Sequence, residues 1–118
     1  MKRILTLAGL TAVAVLMTAG LAVAQDAKKD EGLKLFATKK CTTCHSIAGK
    51  GNKKGALDEV GSKLTAAQIK EWITDPVAAA AKAKPAPTRK PAMKKTPLSA
   101  SEVDTLVALL TSLKKSVP

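Results

Sequence analysis

The feature that most constrains this chain is the pentapeptide at residues 41–45, which reads Cys-Thr-Thr-Cys-His. A C-x-x-C-H pattern attaches a haem covalently through two thioether bonds, and its histidine supplies the first iron ligand. One helical turn would bring the sulfurs of Cys41 and Cys44 to the two vinyl groups of a porphyrin, with His45 beneath the iron. We therefore expect one haem c, bound through Cys41 and Cys44 and ligated by His45.

Three other uses of a C-x-x-C pair require different surroundings. A structural zinc site takes four Cys or His ligands, but Cys41, Cys44 and His45 are the only cysteines and the only histidine of the chain. A thioredoxin-like redox pair follows a strand within a βαβ unit, and the sequence contains no convincing strand. A structural disulfide is the third alternative. All three are weaker interpretations than haem attachment.

The N-terminal residues have the features of a secretory signal. Lys2 and Arg3 precede a long apolar segment that ends in the small-residue pattern Ala-Val-Ala. We expect residues 1–24 to be a signal peptide cleaved after Ala24, and residues 25–118 to be the mature domain. The predicted location is the periplasm, where bacteria attach haem to such motifs. The alternative is an uncleaved N-terminal helix that anchors the protein in a membrane.

The predicted mature chain is short, basic and poor in aromatic residues. The full sequence has 20 Lys and Arg against 9 Asp and Glu, and its only aromatic residues are Phe36 and Trp72. A small domain with so few large side chains has difficulty filling a core by itself. A buried porphyrin would supply the missing apolar mass.

Three helices are predicted. The first covers residues 30–38, with Asp30 as its N-cap. The second begins at a capping box over residues 65–68 and ends before Pro76. The third begins at a capping box over residues 99–102, and its apolar residues recur at helical spacing: Val103, Leu106, Val107, Leu110 and Leu113. The two regions between the helices are predicted loops, although the start of the second loop is compatible with a short helix.

The second of these loops, residues 77–97, holds the other candidate iron ligand. Met1 and Met17 lie in the predicted signal peptide, so Met93 is the sole methionine of the mature chain. A lone methionine usually fills a gap in a core, but Met93 lies in a polar stretch rich in Lys and Pro. A thioether opposite histidine raises the reduction potential and closes the iron to substrates. We predict Met93 as the sixth ligand, with a lysine or an open position as alternatives.

Residues 30–115 resemble the small, soluble, single-haem class I cytochromes c. The elements shared with that family are, in chain order, Gly32, Phe36, the C-x-x-C-H pattern, Gly-Ala-Leu at 55–57, Trp72, Pro76, Met93 and Leu-Ser at 98–99. The resemblance implies an all-α cytochrome c fold after an N-terminal signal peptide. Three or more helices would pack around one covalently bound haem, with the first and last helices crossing beside it.

The resemblance also implies individual roles. Gly32 would permit close approach of the last helix, the backbone carbonyl of Ala56 would accept the ring N–H of His45, and Trp72 would lie beside the haem or its propionates. The sequence departs from the family pattern at three places. Ala56 replaces a proline, Lys94 follows the methionine where proline is common, and the last helix has Leu109 in place of its usual aromatic residue.

Cationic residues gather in the two loops expected around the haem, and we call this set the lysine face: Lys39, Lys40, Lys50, Lys53, Lys54, Lys82, Lys84, Arg89, Lys90, Lys94 and Lys95. We expect it to dock acidic redox proteins, with solvated loop charge as the alternative interpretation. An anionic membrane surface is a secondary candidate partner. Export and the lack of base-stacking aromatics argue against nucleic acid. The protein is expected to be a monomer.

Together these features predict a periplasmic electron carrier with His/Met-ligated haem, and not an enzyme. One alternative is a haem module that binds or senses small ligands. A peroxidase-like enzyme is disfavoured because no second histidine exists to act as acid and base on the distal side. A further alternative is a dedicated cytochrome subunit of a membrane-associated oxidoreductase complex.

Overall fold

The computed structural model describes residues 24–116, and the chain is mostly helical. Residues 24–38 form helix α1. The remaining elements are a 3-10 turn at Cys41–Thr43, strands β1 (Ser46–Ile47) and β2 (Lys50–Gly51), a 3-10 turn at Lys53–Gly55, and helices α2 (Val60–Lys63), α3 (Ala66–Thr74), α4 (Pro76–Lys82) and α5 (Ala100–Ser112). The helical prediction is confirmed. The predicted signal peptide lies outside the described residues, except for Ala24, which is helical. Within 24–116, no helix is long and apolar enough to cross a bilayer.

Helix α1 begins earlier than the sequence pattern predicts. The chain is already helical at residue 24, so Asp30 lies inside the helix and is not its N-cap. The reason is local: residues 24–31 contain no glycine or proline, and several of them are strong helix formers. Nothing in this stretch stops the helix at Asp30.

Two capping boxes begin the later helices, as predicted. At α3 the Thr65 hydroxyl accepts the Gln68 N–H at 3.2 Å, and the Gln68 side chain accepts the Thr65 N–H at 2.9 Å. Ser99 and Glu102 repeat the same distances at α5. These reciprocal bonds satisfy backbone donors that a helix N-terminus otherwise leaves unpaired.

Helix α4 continues the chain after α3. Asp75 accepts the Ala78 N–H at 3.1 Å, and Pro76 occupies the first turn, where its missing N–H costs no hydrogen bond. The proline therefore ends one helix and begins the next. Because α4 covers Pro76–Lys82, the first part of the predicted second loop is helical.

A short antiparallel ribbon lies in the region predicted as the first loop. Ser46 pairs with Gly51 and Ile47 pairs with Lys50. Strands of two residues are too short to show the alternation by which a strand is recognised in sequence. Helix α2 was missed for a similar reason, since it spans a single turn.

Buried apolar side chains from α1, β1, α3 and α5 form one cluster: Phe36, Ile47, Ile69, Ile73, Val103, Leu106, Leu109 and Leu110. Gly32 lies where α1 crosses α5. A Cβ at Gly32 would stand 2.9 Å from the Cβ of Leu109, closer than ordinary van der Waals contact. The expected role of Gly32, close approach of the first and last helices, is therefore confirmed. Leu109, at the position of the missing aromatic residue, is only 2% exposed.

The end of α5 is tied to α2. The Gly61 N–H donates to the Leu113 carbonyl at 2.8 Å, and the Lys114 ammonium donates to the Gly61 carbonyl at 2.6 Å. Lys114 therefore has a tertiary contact that ties the chain after α5 to α2.

Candidate haem site

The two cysteines lie on one tight turn directly after α1. Lys40 adopts a left-handed conformation with φ of 61°, and the 3-10 turn begins at Cys41. The Cys41 carbonyl accepts the N–H groups of Cys44 at 3.2 Å and His45 at 2.9 Å. One carbonyl thus organises the whole attachment motif. Cys41 is half-buried against the apolar cluster, while Cys44 is exposed.

Both thiols are free, and the surroundings of Cys41 differ from those of a redox-active cysteine. Burial raises the pKa of the Cys41 thiol, and the neighbouring Cys44 contributes in the same direction against a backbone hydrogen bond that lowers it. A thiol–disulfide oxidoreductase instead depends on a depressed thiol pKa. This environment gives the thioredoxin-like alternative no support.

The His45 ring is oriented by a backbone carbonyl. Its Nδ1 lies 3.0 Å from the Gly55 oxygen, and because a carbonyl only accepts, Nδ1 carries the proton. The tautomer that results leaves the Nε2 lone pair available for a metal, the usual arrangement of a ligating histidine. Burial is the main cause that lowers the pKa of His45; the bond to Gly55 opposes it, and the positive charge of Arg89 adds to it. The imidazole is therefore held in its neutral, ligating form.

The acceptor differs from the one implied by the family resemblance. Ala56 was expected to accept the ring N–H, but the carbonyl of Gly55 does so. Ala56 forms an isolated parallel bridge with Ser46, in which the Leu57 N–H donates to the Ser46 carbonyl at 2.9 Å. This register directs the Gly55 carbonyl toward the ring.

Gly55 permits that approach because it lacks a side chain. A Cβ there would collide with the Cys44 carbonyl and with Nη1 of Arg89, and it would lie 3.0 Å from Nδ1 of His45. Gly55 is therefore the point at which the attachment turn and the Arg89 side chain converge.

These residues fit a covalently held haem. Two free thiols on one turn, spaced C-x-x-C, match the two thioether bonds of haem c, and the adjacent imidazole has its second nitrogen free. Cys41 and Cys44 would hold the group, and His45 would ligate its iron.

Met93 lies in a part of the chain without regular structure, between α4 and α5. Its side chain is 41% exposed, so it is not a core residue. With Ala92 and the two lysines that follow, it lines a pocket of about 580 Å³ against residues 74–77, and none of residues 41–45 lines that pocket. Ligation of the iron by Met93 stays a prediction.

Trp72 is half-buried on α3. Its helix buries Ile69 and Ile73 in the apolar cluster, and Trp72 itself is not part of that cluster. The expectation that Trp72 lies beside the haem stays a prediction as well.

Most of the lysine face is exposed and without acidic partners. Lys39 pairs with Glu102 at 2.9 Å, and Lys82 pairs with Glu71 at 2.5 Å. Among residues 24–116, no other member of the face lies within salt-bridge distance of a carboxylate. Every member except Lys39 is exposed. The face therefore retains most of its positive charge.

The sequence model of the cytochrome c family matches residues 30–114, and the chain belongs to this family. Comparisons with curated proteins and with solved structures find no match. Membership implies a covalently bound haem c, in agreement with the spacing of Cys41 and Cys44. It supports haem-based electron transfer and indicates a carrier rather than an enzyme.

Sequence reasoning missed two residues at the site, Gly55 as the acceptor and Arg89 as a neighbour of His45. The position of Gly55 depends on a long-range bridge that leaves no local pattern. Arg89 did carry a signal: outside the predicted signal peptide it is the sole arginine in a chain whose other cations are lysines.

Proposed function

We propose that this protein is a periplasmic electron carrier, with one haem c attached through Cys41 and Cys44 and ligated by His45 and Met93. The observation that carries the proposal is the His45 ring, which donates from Nδ1 to Gly55 at 3.0 Å and follows two free thiols on one turn. When bound, haem c supplies a one-electron couple between ferric and ferrous iron.

The protein's own residues attach the haem, orient its first ligand and, through Met93, close the iron to substrates. Cys41 and Cys44 hold the group in one place, and the bond to Gly55 fixes the plane and tautomer of His45. A fixed ligand geometry lets the iron gain and lose an electron with little rearrangement. No substrate is converted, so the carrier needs no acid or base.

Ligation by Met93 is supported by elimination and by chain geometry. It is the one methionine of the described residues, and its side chain is not used in the core. Arg89, four residues earlier in the same loop, reaches the Gly55–His45 pair. Four residues span at most about 14 Å, so the loop that carries Met93 runs close to the attachment turn.

A second candidate function is a haem module that binds small ligands. It is favoured by the exposure of Met93 and by the loop around it, since no residue from 83 to 99 is buried. A thioether held by such a loop would be easier to displace than one held by a packed segment.

Carbon monoxide separates the two functions. The unmodified ferrous protein is expected to bind carbon monoxide poorly at neutral pH, because Met93 occupies the sixth position. Met93→Ala should bind it readily and show a lower reduction potential, because a soft thioether favours ferrous iron. Ready binding by the unmodified protein would support the ligand-binding module instead.

We further propose that the lysine face docks an acidic redox protein. Its support is the set of exposed cations without acidic partners in the described part of the chain. Such a field raises the rate of encounter with an acidic surface. An anionic membrane surface is the secondary partner, and the protein acts as a monomer after cleavage of the signal peptide behind Ala24.

A further inference from the structure

One cation of the lysine face differs from the rest in both chemistry and position. Arg89 is the sole arginine of the described residues, and its guanidinium end lies at the attachment site. A guanidinium is planar and remains charged at any accessible pH, whereas a lysine ammonium is a hydrated point charge on a flexible stem. A guanidinium packed against backbone therefore provides a permanent charge in a defined place.

Three groups converge where a Cβ of Gly55 would be. They are Nη1 of Arg89, the carbonyl oxygen of Cys44, and Nδ1 of His45. The carbonyl of the same glycine accepts the ring N–H of His45 at 3.0 Å. The guanidinium thus packs on the peptide that orients the iron ligand.

The charge of Arg89 is not neutralised by a nearby acid. No carboxylate within the described part of the chain lies within salt-bridge distance of it. Nη1 of Arg89 and Nδ1 of His45 each lie within 3.0 Å of the position that a Cβ of Gly55 would take, so the two nitrogens are at most about 6 Å apart. Because Coulomb energy falls only with the inverse of distance, a charge so close to the ring also acts on an iron bonded to that ring.

We infer that Arg89 is a positioning residue that raises the reduction potential of the haem by holding a fixed positive charge beside His45. Loss of one electron adds a unit of positive charge at the iron, and a neighbouring cation makes that addition less favourable. The ferrous state gains relative to the ferric state, so the haem holds its electron more tightly; the electron that is lost on oxidation is taken up by the partner redox protein. This inference rests on the proposed electron-transfer function, and it requires His45 but not Met93.

The test is a spectroelectrochemical titration of the holoprotein in four forms: unmodified, Arg89→Gln, Arg89→Lys and Lys90→Gln. Lys90→Gln removes the same charge from the adjacent exposed position and serves as the matched control. Arg89→Gln should raise the ferric-to-ferrous ratio at a fixed applied potential by about threefold to tenfold, which lowers the reduction potential by about 28 to 59 mV for one electron. Arg89→Lys should recover part of the shift, and Lys90→Gln should give a clearly smaller one.

Equal shifts in Arg89→Gln and Lys90→Gln would overturn the inference, because only net charge would then matter. A lower melting temperature of Arg89→Gln with an unchanged potential would overturn it too, since the role would be structural. If Arg89→Gln fails to retain haem, Arg89→Met provides the neutral variant with a long aliphatic stem. The long-wavelength methionine-to-iron band, recorded on the same samples, reports on the proposed ligation separately. Its absence from the unmodified protein would contradict Met93 ligation and leave the Arg89 comparison readable.

Discussion

The crossing of α1 and α5 and the loop from residue 83 to 99 represent two ways of holding a chain in place. At the crossing, Gly32 lets α1 come into contact with Leu109 of α5, and α5 buries four apolar residues. In the loop no residue is buried. The crossing is thus defined by apolar packing within the polypeptide, whereas the loop has no buried anchor and approaches the attachment turn through the Arg89 side chain at Gly55. Stability is expected to reside at the crossing, and redox tuning and docking in the loop.

The largest effect is expected when the covalent haem, which would support both regions, is removed. Replacing Cys41 and Cys44 together with alanine should abolish covalent haem and leave a largely unfolded chain. The apolar cluster contains Phe36 as its one aromatic residue, and a tethered haem would add buried apolar contacts and iron ligation that exist only in the folded state. Far-ultraviolet circular dichroism and thermal melting would measure the loss. A compact, haem-free variant that melts cooperatively would show that the polypeptide core suffices.

A smaller loss of stability is expected from a substitution at the helix crossing. At an ordinary helical site, Gly→Ala stabilises a protein by about 0.5–1 kcal/mol. At Gly32 the new Cβ would lie 2.9 Å from the Cβ of Leu109, so the helices must move apart, at a cost of about 1–3 kcal/mol. Gly32→Ala should therefore lower the free energy of unfolding, as measured by denaturant titration of the holoprotein.

Ala37→Gly provides the comparison for that experiment. Ala37 is exposed on the same helix, so glycine there should cost about 1 kcal/mol through propensity alone. Alanine is then favoured over glycine at position 37, and glycine over alanine at position 32. Stabilisation by Gly32→Ala would mean that the two helices are not in close contact.

Removing charge from the lysine face should affect the fold least. Its expected effect is on the rate of association with a partner. Replacing Lys53, Lys54, Lys94 and Lys95 with glutamine should slow association with an acidic partner about tenfold at low salt. The spectrum and the potential should stay nearly unchanged. The rate of the unmodified protein should fall steeply with salt, since screening at about 0.15 M limits exposed charges to about 8 Å.

The matched control removes equal charge from elsewhere: Lys28, Lys29, Lys34 and Lys115. Lys114 is left in place because its ammonium bonds to the Gly61 carbonyl at 2.6 Å. Stopped-flow kinetics of electron transfer would compare the two quadruple variants. Equal slowing by both would show that net charge, and not a localised face, controls docking.

Sequence reasoning succeeded where the signal lies within one element. The capping boxes at Thr65 and Ser99 were predicted because the partner that completes each one is three residues away. The apolar repeat of α5 predicted three of its four buried residues, and Leu109 was missed because it lies beside the main repeat. Such features depend on helical geometry alone, so a single sequence contains them.

The parts that were wrong or missed depend on contacts between distant segments. The carbonyl of Gly55, and not that of Ala56, accepts the His45 ring N–H because Ala56 forms the bridge to Ser46. No local sequence pattern at either residue indicates this. The approach of Arg89 to His45 joins two loops that share no periodic signal. The predicted start of α1 at Asp30 was wrong because a suitable N-cap was given more weight than the helix formers before it.

We propose above all that Met93 completes the ligation of a haem whose first ligand, His45, is held by Gly55. The most direct measurement is the long-wavelength absorption of the purified ferric holoprotein, where methionine-to-iron charge transfer has its own band. We predict that the unmodified protein shows this band at neutral pH and that Met93→Ala loses it while keeping its covalent haem. A ferric spectrum of the unmodified protein without the band would contradict the claim.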